Sequence, residues 1–513
     1  MTSTRTASSD TAPVIAGSFP DPTACRVGDD YYLAASSFEH FPGAPVFHSR
    51  DLVSWQQIGN VLTTRRQFPR GDGRPSGGVF GSTLRHHDGR FWFITTNMST
   101  LGAGHTIVTA TDPAGPWSEP VHVSGAVGLD PDLAWDRDGQ CYLTYVGFGG
   151  PGGAAIVQAR LDPDAGTLLE EPYPVWQGTG LAFPEGPHLY LVDDTWYLLL
   201  AEGGTERGHA VTIARGPSPA GPFEACPGNP VLTHRSTAHP VQNVGHADLV
   251  QRADGTWVAV HLGVRPRGTA PGFHVLGRET FLRPVSWEDG WPNLQGPPLD
   301  VPVRSHVVRE SFTTAALHPR WVVPAGDAAE FTTATPDGLL LRAAPDEERW
   351  SSHLLCSRVT DLHWSATATV DVAPGSVARF VLRLDDRHWY AVQTDGSTVS
   401  ARGRIGDFVH DVPSRPAPGG AVRLHLRSEP DPAAHRPGAN SGPDRVVLGV
   451  WAPDGSLVRL ASWDGRYLSG EVAAGFNGRV LGVAALRGEA TLLAFEYDGN
   501  DLEGASGHVP GRE

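Results

Sequence analysis

Three carboxylates stand at one fixed position relative to a repeated turn signal. Asp21, Asp130 and Glu185 each lie eight residues before an acidic turn that leads into an apolar strand. Two carboxyl groups are what hydrolysis of a glycosidic bond needs, because one protonates the leaving oxygen and the other activates water or attacks the sugar. Three like charges close together cannot all stay ionised cheaply, so one should be held protonated. Glu185 has the longer reach and a less polar Glu-Gly-Pro context, which favours it as the acid. We expect Asp21 to be the base and Asp130 to orient the acid and hold its protonation state.

The turn signal occurs five times, which indicates how these residues are brought together. It begins at Asp29, Asp88, Asp138, Asp193 and Asp254, and counting back eight residues gives Asp21, Phe80, Asp130, Glu185 and His246. The units recur every 50 to 61 residues, a period typical of a propeller in which each unit is one small antiparallel sheet. Asp-Gly between two apolar runs is itself a hairpin signal. The innermost strands of a propeller face one axis, so the five positions should converge on a channel.

Each of these residues also has a plainer interpretation. An acid beside a proline is commonly a turn residue or a helix cap, and three acids in a channel could hold a structural cation. A cation cage would normally draw several acids from one short stretch, which is not seen here. Phe80 fits an apolar wall against a sugar face and fits core packing equally well. His246 fits a satisfied polar residue, or a ring that binds water or a cation on the axis.

The chain divides into two domains by its repeats. Residues 1–12 read as a flexible tail, residues 13–292 as the five-bladed propeller and residues 293–309 as a Pro-rich linker. Residues 310–500 have short alternating strands without the period and predict a β-sandwich, followed by a tail at 501–513. The predicted fold class is therefore all-β.

Composition excludes several functions. The chain has 513 residues and a net charge of -16, which disfavours nucleic acid and anionic membranes as partners. It has no apolar run of about 18 residues that could span a membrane. The first ten residues lack the apolar stretch of a secretory signal, so a cytoplasmic location is expected. The cysteines, which lack CxxC spacing, are expected to be reduced thiols: Cys25, Cys141, Cys226 and Cys356.

Several motifs together resemble glycoside hydrolase family 43, and the resemblance covers nearly the whole chain. The motifs around the five positions are Phe19–Pro22, Gly128–Pro131, Glu185–His188 and Gly245–Leu249. Three more are Ser36–Gly43, Ala201–His209 and Gly277–Phe281. The chain looks most like the β-xylosidase and α-L-arabinofuranosidase members, which carry an added C-terminal sandwich of the concanavalin type.

The resemblance implies roles for particular residues. It implies an inverting enzyme with Asp21 as general base, Asp130 as the residue that tunes the acid, and Glu185 as general acid. It also implies that Arg278 binds a sugar hydroxyl and that Phe38 lies beside the substrate. No cofactor is required, although many members hold a calcium ion or a water cluster near the equivalent of His246.

Two departures from the family pattern concern the pocket. The second blade reads Phe80–Thr83 where relatives usually have an aromatic residue followed by Ala-Pro-Thr, so the pocket wall and the specificity are expected to differ. Asp132 stands where many relatives have a small polar residue, and it adds an acid near Asp130 that competes for the same assignment.

The sequence therefore predicts an exo-acting, inverting glycosidase that removes terminal pentose units from xylo- or arabino-oligosaccharides. β-Xylosidase activity is favoured, with α-L-arabinofuranosidase activity, or both, in the same site as the alternative. A sugar-binding propeller without catalysis is the alternative from another class. A retaining, fructan-directed propeller would need other motifs around its acids. Oligomeric state is left open, with a homo-oligomer among the options.

Overall fold

Five antiparallel sheets surround an axis in the N-terminal half of the chain. The computed structural model describes residues 6–71, 73–150, 153–314, 316–436 and 438–501. Each sheet is one blade, and its first strand is the innermost. Blade one contains Thr23–Val27, Asp30–Ala34, Gly43–Ser49 and Gln56–Leu62, and blade two contains Val79–His87, Arg90–Asn97, His105–Ala110 and Val121–Val123. Blade three contains Gly128–Trp135, Cys141–Gly150, Gly153–Asp162 and Thr167–Leu168, with Tyr173–Pro174 beside its third strand. The last two are Glu185–Val192, Thr195–Glu202, Ala210–Gly216 and Glu224–Ala225; and Gln242–Gln251, Trp257–Val264, Glu279–Glu288 and Trp291–Asn293.

The ring closes without a strand shared between its first and last blades. The segment before blade one instead lies along the third strand of blade five, where Ile15 and Thr280 form an antiparallel bridge. The Thr280 hydroxyl donates to the carbonyl oxygen of Phe19 at 2.7 Å. This contact fixes the chain two residues before Asp21.

Two packed sheets form the second domain. One contains Val307–Glu310, Thr332–Thr335, Gly338–Arg342, Trp364–Val372, Val422–Glu429, Arg445–Trp451, Leu457–Asp464 and Glu489–Gly499. The other contains Leu355–Arg358, Val377–Asp385, His388–Thr394, Thr398–Ile405, Phe408–Asp411, Arg415–Pro416 and Val480–Arg487. Alternate residues of both sheets face inward and form one apolar core, as alternation along paired strands dictates.

Helical structure is confined to short turns in the described residues. The 3₁₀ segments are Met98–Ala103, Glu347–His353, Pro432–His435 and Gly465–Leu468, and the α-helical turns are Ala328–Phe331 and Gly470–Ala473. None of the described helices is long and apolar enough to cross a membrane.

The predicted architecture of five blades followed by a sandwich is confirmed, and one local prediction is wrong. Thr6–Ser8, expected in a flexible tail, forms a strand that pairs with Asp300–Pro302 in the segment expected to be a linker. The predicted C-terminal tail lies outside the described residues except for its first residue. All four cysteines are buried free thiols, as their spacing predicted.

The two domains are joined by backbone pairing and by a buried polar contact. His40–Phe41 of blade one pairs with Val323–Pro324 of the sandwich domain. The amide of Asn477 donates to both carboxylate oxygens of Glu39 at 2.8 Å each. These contacts anchor a sandwich loop against the first blade, beside the mouth of the channel.

A buried ion network crosses the propeller axis. The guanidinium of Arg85 in blade two donates at 2.8 Å to Asp132 in blade three and at 2.8 Å to Asp248 in blade five. The Tyr190 hydroxyl of blade four also donates to Asp248, at 2.5 Å. Burial alone would lower the pKa of Arg85, but the two carboxylates outweigh it and raise that pKa above its ordinary value. Asp132 therefore belongs to this buried ion network and is not a second candidate for the role of Asp130.

Removing the guanidinium would leave two carboxylates buried without a cation. We expect Arg85→Gln to lower the free energy of unfolding by about 3–5 kcal/mol, measured by urea denaturation. Arg66→Gln is the matched control, because Arg66 pairs with Glu119 while both side chains are largely exposed. Its cost should be no more than about 1 kcal/mol. Equal costs for the two variants would show that the axial network does not stabilise the propeller.

Candidate active site

Irregular backbone on the inner strands turns the site residues into the channel. The pairing register shifts between Leu129 and Asp132, between Glu185 and His188, and again around Gly245. Asp21, Asp130 and His246 have φ values of 54°, 50° and 45°, in the left-handed region that residues with a Cβ seldom adopt. A β-bulge changes the direction of side chains and interrupts the hydrogen bonds between neighbouring strands. Such irregularities occur at equivalent places in different blades.

Asp21 is held as a carboxylate. It is 4% exposed, and its Oδ1 accepts a hydrogen bond from Nη1 of Arg278 at 2.9 Å. The Nδ1 of His246 lies 3.7 Å from the same oxygen. Burial alone would raise the pKa of Asp21, but Arg278 and then His246 outweigh it and hold that pKa below its ordinary value. Asp21 is therefore ionised and able to take a proton.

Asp130 has the opposite tendency. Burial, the Glu185 carboxylate and the Asp21 carboxylate together raise the pKa of Asp130 well above its ordinary value. Its Oδ2 accepts from the backbone N–H of Gly186 at 3.1 Å, which ties it to the residue after Glu185. A Cβ on Gly81 would lie 2.3 Å from Oδ1 of Asp130. The glycine in the altered second-blade motif therefore allows Asp130 to occupy this position.

Glu185 is the most accessible of the three carboxylates, with 25% of its side chain exposed. Its Oε1 lies 3.5 Å from Nε2 of the buried His209. The Nδ1 of His209 lies 3.1 Å from the carbonyl oxygen of Asn243, and that carbonyl can only accept, so Nδ1 carries the proton. The other ring nitrogen, Nε2, is therefore the atom of His209 that faces Glu185.

The protonation of the acids differs from the sequence-based expectation. Glu185 was expected to be the acid driven to its neutral form by its neighbours. Burial does raise the pKa of Glu185, but His209 and His246 outweigh it and bring that pKa below its ordinary value. It is the pKa of Asp130 that burial and like-charge repulsion raise. The two neighbouring acids therefore have opposite protonation tendencies, with Asp130 favouring its neutral form and Glu185 its charged form.

Aromatic rings from both domains form one wall beside the carboxylates. The rings of Phe38 and Phe80 meet edge to face at 5.4 Å, and the ring of Phe476 stacks on Phe38 at 5.8 Å. The guanidinium of Arg278 lies 5.6 Å from the Phe38 ring centre and 5.4 Å from that of Phe476. Phe476 belongs to the sandwich loop that Asn477 anchors, so the second domain completes the pocket.

The described side chains around His246 do not by themselves form a set of calcium ligands. Calcium takes six to eight oxygen ligands. The carboxylate nearest to His246 is Asp21, whose Oδ1 already accepts from Arg278. No cluster of three or more His, Cys, Asp or Glu side chains with metal-binding geometry occurs within the described ranges. His246 instead packs over Gly186, where a Cβ would come within 3.0 Å of the ring.

The structure brings together the seven residues named from the sequence: Asp21, Asp130, Glu185, Phe38, Phe80, His246 and Arg278. Three further residues were missed. Thr205 accepts from Nη1 of Arg278 at 3.0 Å, and His209 and Phe476 make the contacts described above. His209 immediately precedes the third strand of its blade, outside the repeated register, and Phe476 comes from the other domain. No spacing rule connects either of them to the carboxylates.

A propeller channel that combines a carboxylate of lowered pKa, one of raised pKa and an accessible third fits a hydrolase of glycosidic bonds. Comparison with family models supports this class. Residues 11–292 match the model of glycosyl hydrolases family 43, and residues 309–497 match the β-xylosidase C-terminal concanavalin A-like domain. The chain belongs to glycoside hydrolase family 43, and it is an enzyme of the xylosidase/arabinosidase group.

Relatives match over the whole chain and over the propeller. A non-reducing end α-L-arabinofuranosidase of Bacteroides ovatus is 37% identical over 96% of this chain and 94% of its own. A xylosidase/arabinosidase of Butyrivibrio fibrisolvens is 47% identical over 55% of each chain. The crystal structure of a xylan β-1,4-xylosidase from Bacillus halodurans superposes with a TM-score of 0.83 at 28% identity, covering 95% of this chain and 99% of its own.

The Arg278–Asp21 contact predicts how kcat/KM should depend on pH. Asp21 must be ionised to act as the base. Arg278 keeps the pKa of Asp21 low, so loss of the guanidinium should raise the pKa of Asp21. We expect Arg278→Gln to move the acid limb of the kcat/KM profile to higher pH, whereas Arg278→Lys, which keeps the positive charge, should move it less. KM should rise in both variants if the guanidinium also binds substrate. An unchanged acid limb in Arg278→Gln would contradict the assignment of that limb to Asp21.

Proposed function

We propose that this enzyme is an inverting exo-glycosidase that removes single pentose units from the non-reducing ends of xylo- and arabino-oligosaccharides. The observation that carries the proposal is the contrast within one channel between Asp21, whose carboxylate accepts a hydrogen bond from Arg278, and Asp130, whose pKa is raised by burial and by the neighbouring carboxylates. A base and an acid with separated protonation tendencies are what single-displacement hydrolysis needs.

In the proposed reaction, Asp21 accepts a proton from a water molecule as the water oxygen attacks the anomeric carbon. The bond from that carbon to the leaving oxygen breaks, and the leaving oxygen takes its proton from Glu185. Asp130 positions Glu185 through the hydrogen bond that it accepts from the N–H of Gly186, the residue that follows Glu185. A bound sugar would also exclude water from Glu185, which raises the pKa of a carboxyl group and favours its acid form.

Exo action is supported by the closed side of the pocket. Phe476 from the sandwich domain stacks on Phe38 and lies against the guanidinium of Arg278, which binds Asp21. A long polysaccharide threaded through the site would need that side to be open. The wall is apolar, which suits the face of one terminal sugar ring.

The pentose and its linkage are proposed from the relatives. β-Xylosidase activity is the first candidate, supported by the match of residues 309–497 to a β-xylosidase domain. α-L-Arabinofuranosidase activity in the same site is the second, because the Bacteroides ovatus enzyme that matches across 96% of this chain bears that name. A non-catalytic sugar-binding propeller is disfavoured, since binding alone would not require the opposed protonation of Asp21 and Asp130.

We further propose that hydrolysis needs no cofactor, because Asp21 has Arg278 as its cationic partner and the described acids form no metal-binding cluster. Treatment with EDTA should therefore leave the rates below unchanged. A loss of activity that calcium restores would contradict this proposal.

Initial rates on matched substrates test the function and the roles together. We expect the enzyme to cleave a nitrophenyl β-D-xylopyranoside, the matching α-L-arabinofuranoside, or both, and also xylobiose. Asp21→Asn should lower turnover of every substrate by about a thousandfold. Glu185→Gln should lower xylobiose turnover by a factor on the order of 10²–10⁴, but nitrophenyl glycoside turnover much less, because nitrophenolate departs without a proton.

The ratio of the two losses separates a proton donor from a residue that only supports the fold. Failure of the folded wild-type protein to cleave any of the three substrates, with xylobiose still bound, would overturn the proposed function. Equal losses on both leaving groups in Glu185→Gln would overturn its assignment as the acid.

A further inference from the structure

A second cavity lies between the N-terminal segment, blade one and the sandwich domain. Its volume is about 900 Å³, and Phe19, Trp55, Val301, Phe495 and Tyr497 contribute to its walls. The catalytic carboxylates and the rings of Phe38 and Phe476 are not among its lining residues. The space is therefore distinct from the catalytic pocket, although Phe19 precedes Asp21 by two residues.

Positive charge accumulates around this cavity. Five arginines line it: Arg265, Arg267, Arg304, Arg320 and Arg358. Arg265 is neutralised by Glu279 at 2.7 Å and lies 3.5 Å from Asp501. The other four make no ion pair with any described carboxylate, and Asp501 is the one acidic residue of the lining. The cavity thus has a surplus of guanidinium groups over carboxylates.

The partners of these arginines are neutral groups. Arg267 donates to Nε2 of His363 at 2.9 Å, Arg304 donates to the Ser54 hydroxyl at 2.5 Å, and Arg320 contacts the ring of His318. Guanidinium groups bind best to oxyanions, with which they form paired, charge-assisted hydrogen bonds. None of the four forms an ion pair with a described carboxylate, and the acids in their wider surroundings, such as Glu310 near Arg320, leave the pKa of Arg267 and of Arg320 below its ordinary value because burial outweighs them.

Arg358 is the most informative of the four. The residue is 8% exposed, and its guanidinium lies 4.8 Å from the centre of the Phe19 ring. Burial lowers the pKa of Arg358 to about 10, and the nearby Cys356 and Glu39 do not offset that loss. A buried cation without an anion is costly to keep in a folded protein. A side chain in this position is explained if an anion from solution completes its environment.

We propose that the cavity between the two domains binds a small organic oxyanion, a carboxylate or phosphate on a sugar-sized body, through Arg358 with Arg267 and Arg320. The guanidinium groups would hold the anionic group, and the rings of Phe19 and Trp55 offer apolar surface to the remainder of the molecule. Because the walls come from both domains, the bound anion would also stabilise their contact. The inference is independent of the proposed pentosidase activity.

Three probes with one body test the proposal by isothermal titration calorimetry and thermal unfolding of the full-length protein. D-Glucuronate and D-glucose 6-phosphate carry the two kinds of oxyanion, and D-glucose is the neutral control. We expect at least one anion to bind and raise Tm, while glucose does neither. The anion that binds more tightly shows whether the cavity prefers a carboxylate or a phosphate. Absence of binding by both anions at tens of millimolar would overturn the proposal.

Substitutions locate the site. Arg358→Gln should weaken anion binding by about tenfold to a hundredfold, and Arg358→Lys, which keeps the charge, should weaken it less. Arg66→Gln is the matched control, because it removes an exposed arginine elsewhere and should leave binding unchanged. Arg267→Gln gives a second test if Arg358→Gln is poorly folded.

Stability without ligand distinguishes a binding arginine from a structural one. Without anion, Arg358→Gln should be at least as stable as the wild type, because it removes an unpaired buried charge. Anion binding retained in both Arg358→Gln and Arg267→Gln would overturn the assignment. A large loss of Tm without ligand, with no change in anion affinity, would show that Arg358 is structural.

Discussion

The crowding of carboxylates around one buried axis is the constraint on which the rest of the structure depends. Asp21, Asp130 and Glu185 lie near the pocket, and Asp132 and Asp248 lie deeper. Burial penalises every ionised acid, and each neighbouring charge adds to the penalty. Two arginines compensate these charges at two levels: Arg278 near the pocket and Arg85 below it. The same kind of contact, between a buried carboxylate and an arginine, therefore serves both catalysis and stability.

This arrangement also explains how acids of similar chemistry acquire different roles. Arg278 stabilises the charged form of Asp21, whereas Asp130 faces two carboxylates and keeps its proton. Glu185 stands between these extremes, with His209 behind it and the pocket in front. Small changes in its hydration can then move a proton toward or away from it, which is the behaviour expected of a general acid.

The second domain contributes to the site and does not merely accompany it. Glu39 of blade one accepts two hydrogen bonds from Asn477, and the adjacent Phe476 completes the aromatic wall. Pairing of His40–Phe41 with Val323–Pro324 fixes the same junction through the backbone. A pocket built from both domains links substrate access to the stability of their interface. The cationic cavity lies at another part of this interface.

Sequence periodicity was sufficient for the propeller, because one turn signal repeated in five units defines the blades and their inner strands. The same periodicity identified the three carboxylates, because equivalent positions on the inner strands must lie close together around the axis. It could not reveal the left-handed backbone at Asp21 and Asp130, which tertiary packing imposes. His209 and Phe476 were missed because they lie outside the repeated register. Asp132 looked like a rival to Asp130, and only the position of Arg85 in space shows that it belongs to the axial network.

The stereochemistry of the first-formed product tests the central claim most directly. If Asp21 activates water for a single displacement, proton NMR during hydrolysis must show a sugar anomer opposite in configuration to the substrate before mutarotation. For a β-D-xyloside, the account predicts α-D-xylose as the first signal, lost from the progress curve in Asp21→Asn. Initial release of β-D-xylose would mean a double displacement through a covalent intermediate, and would contradict the assignment of Asp21 as a base.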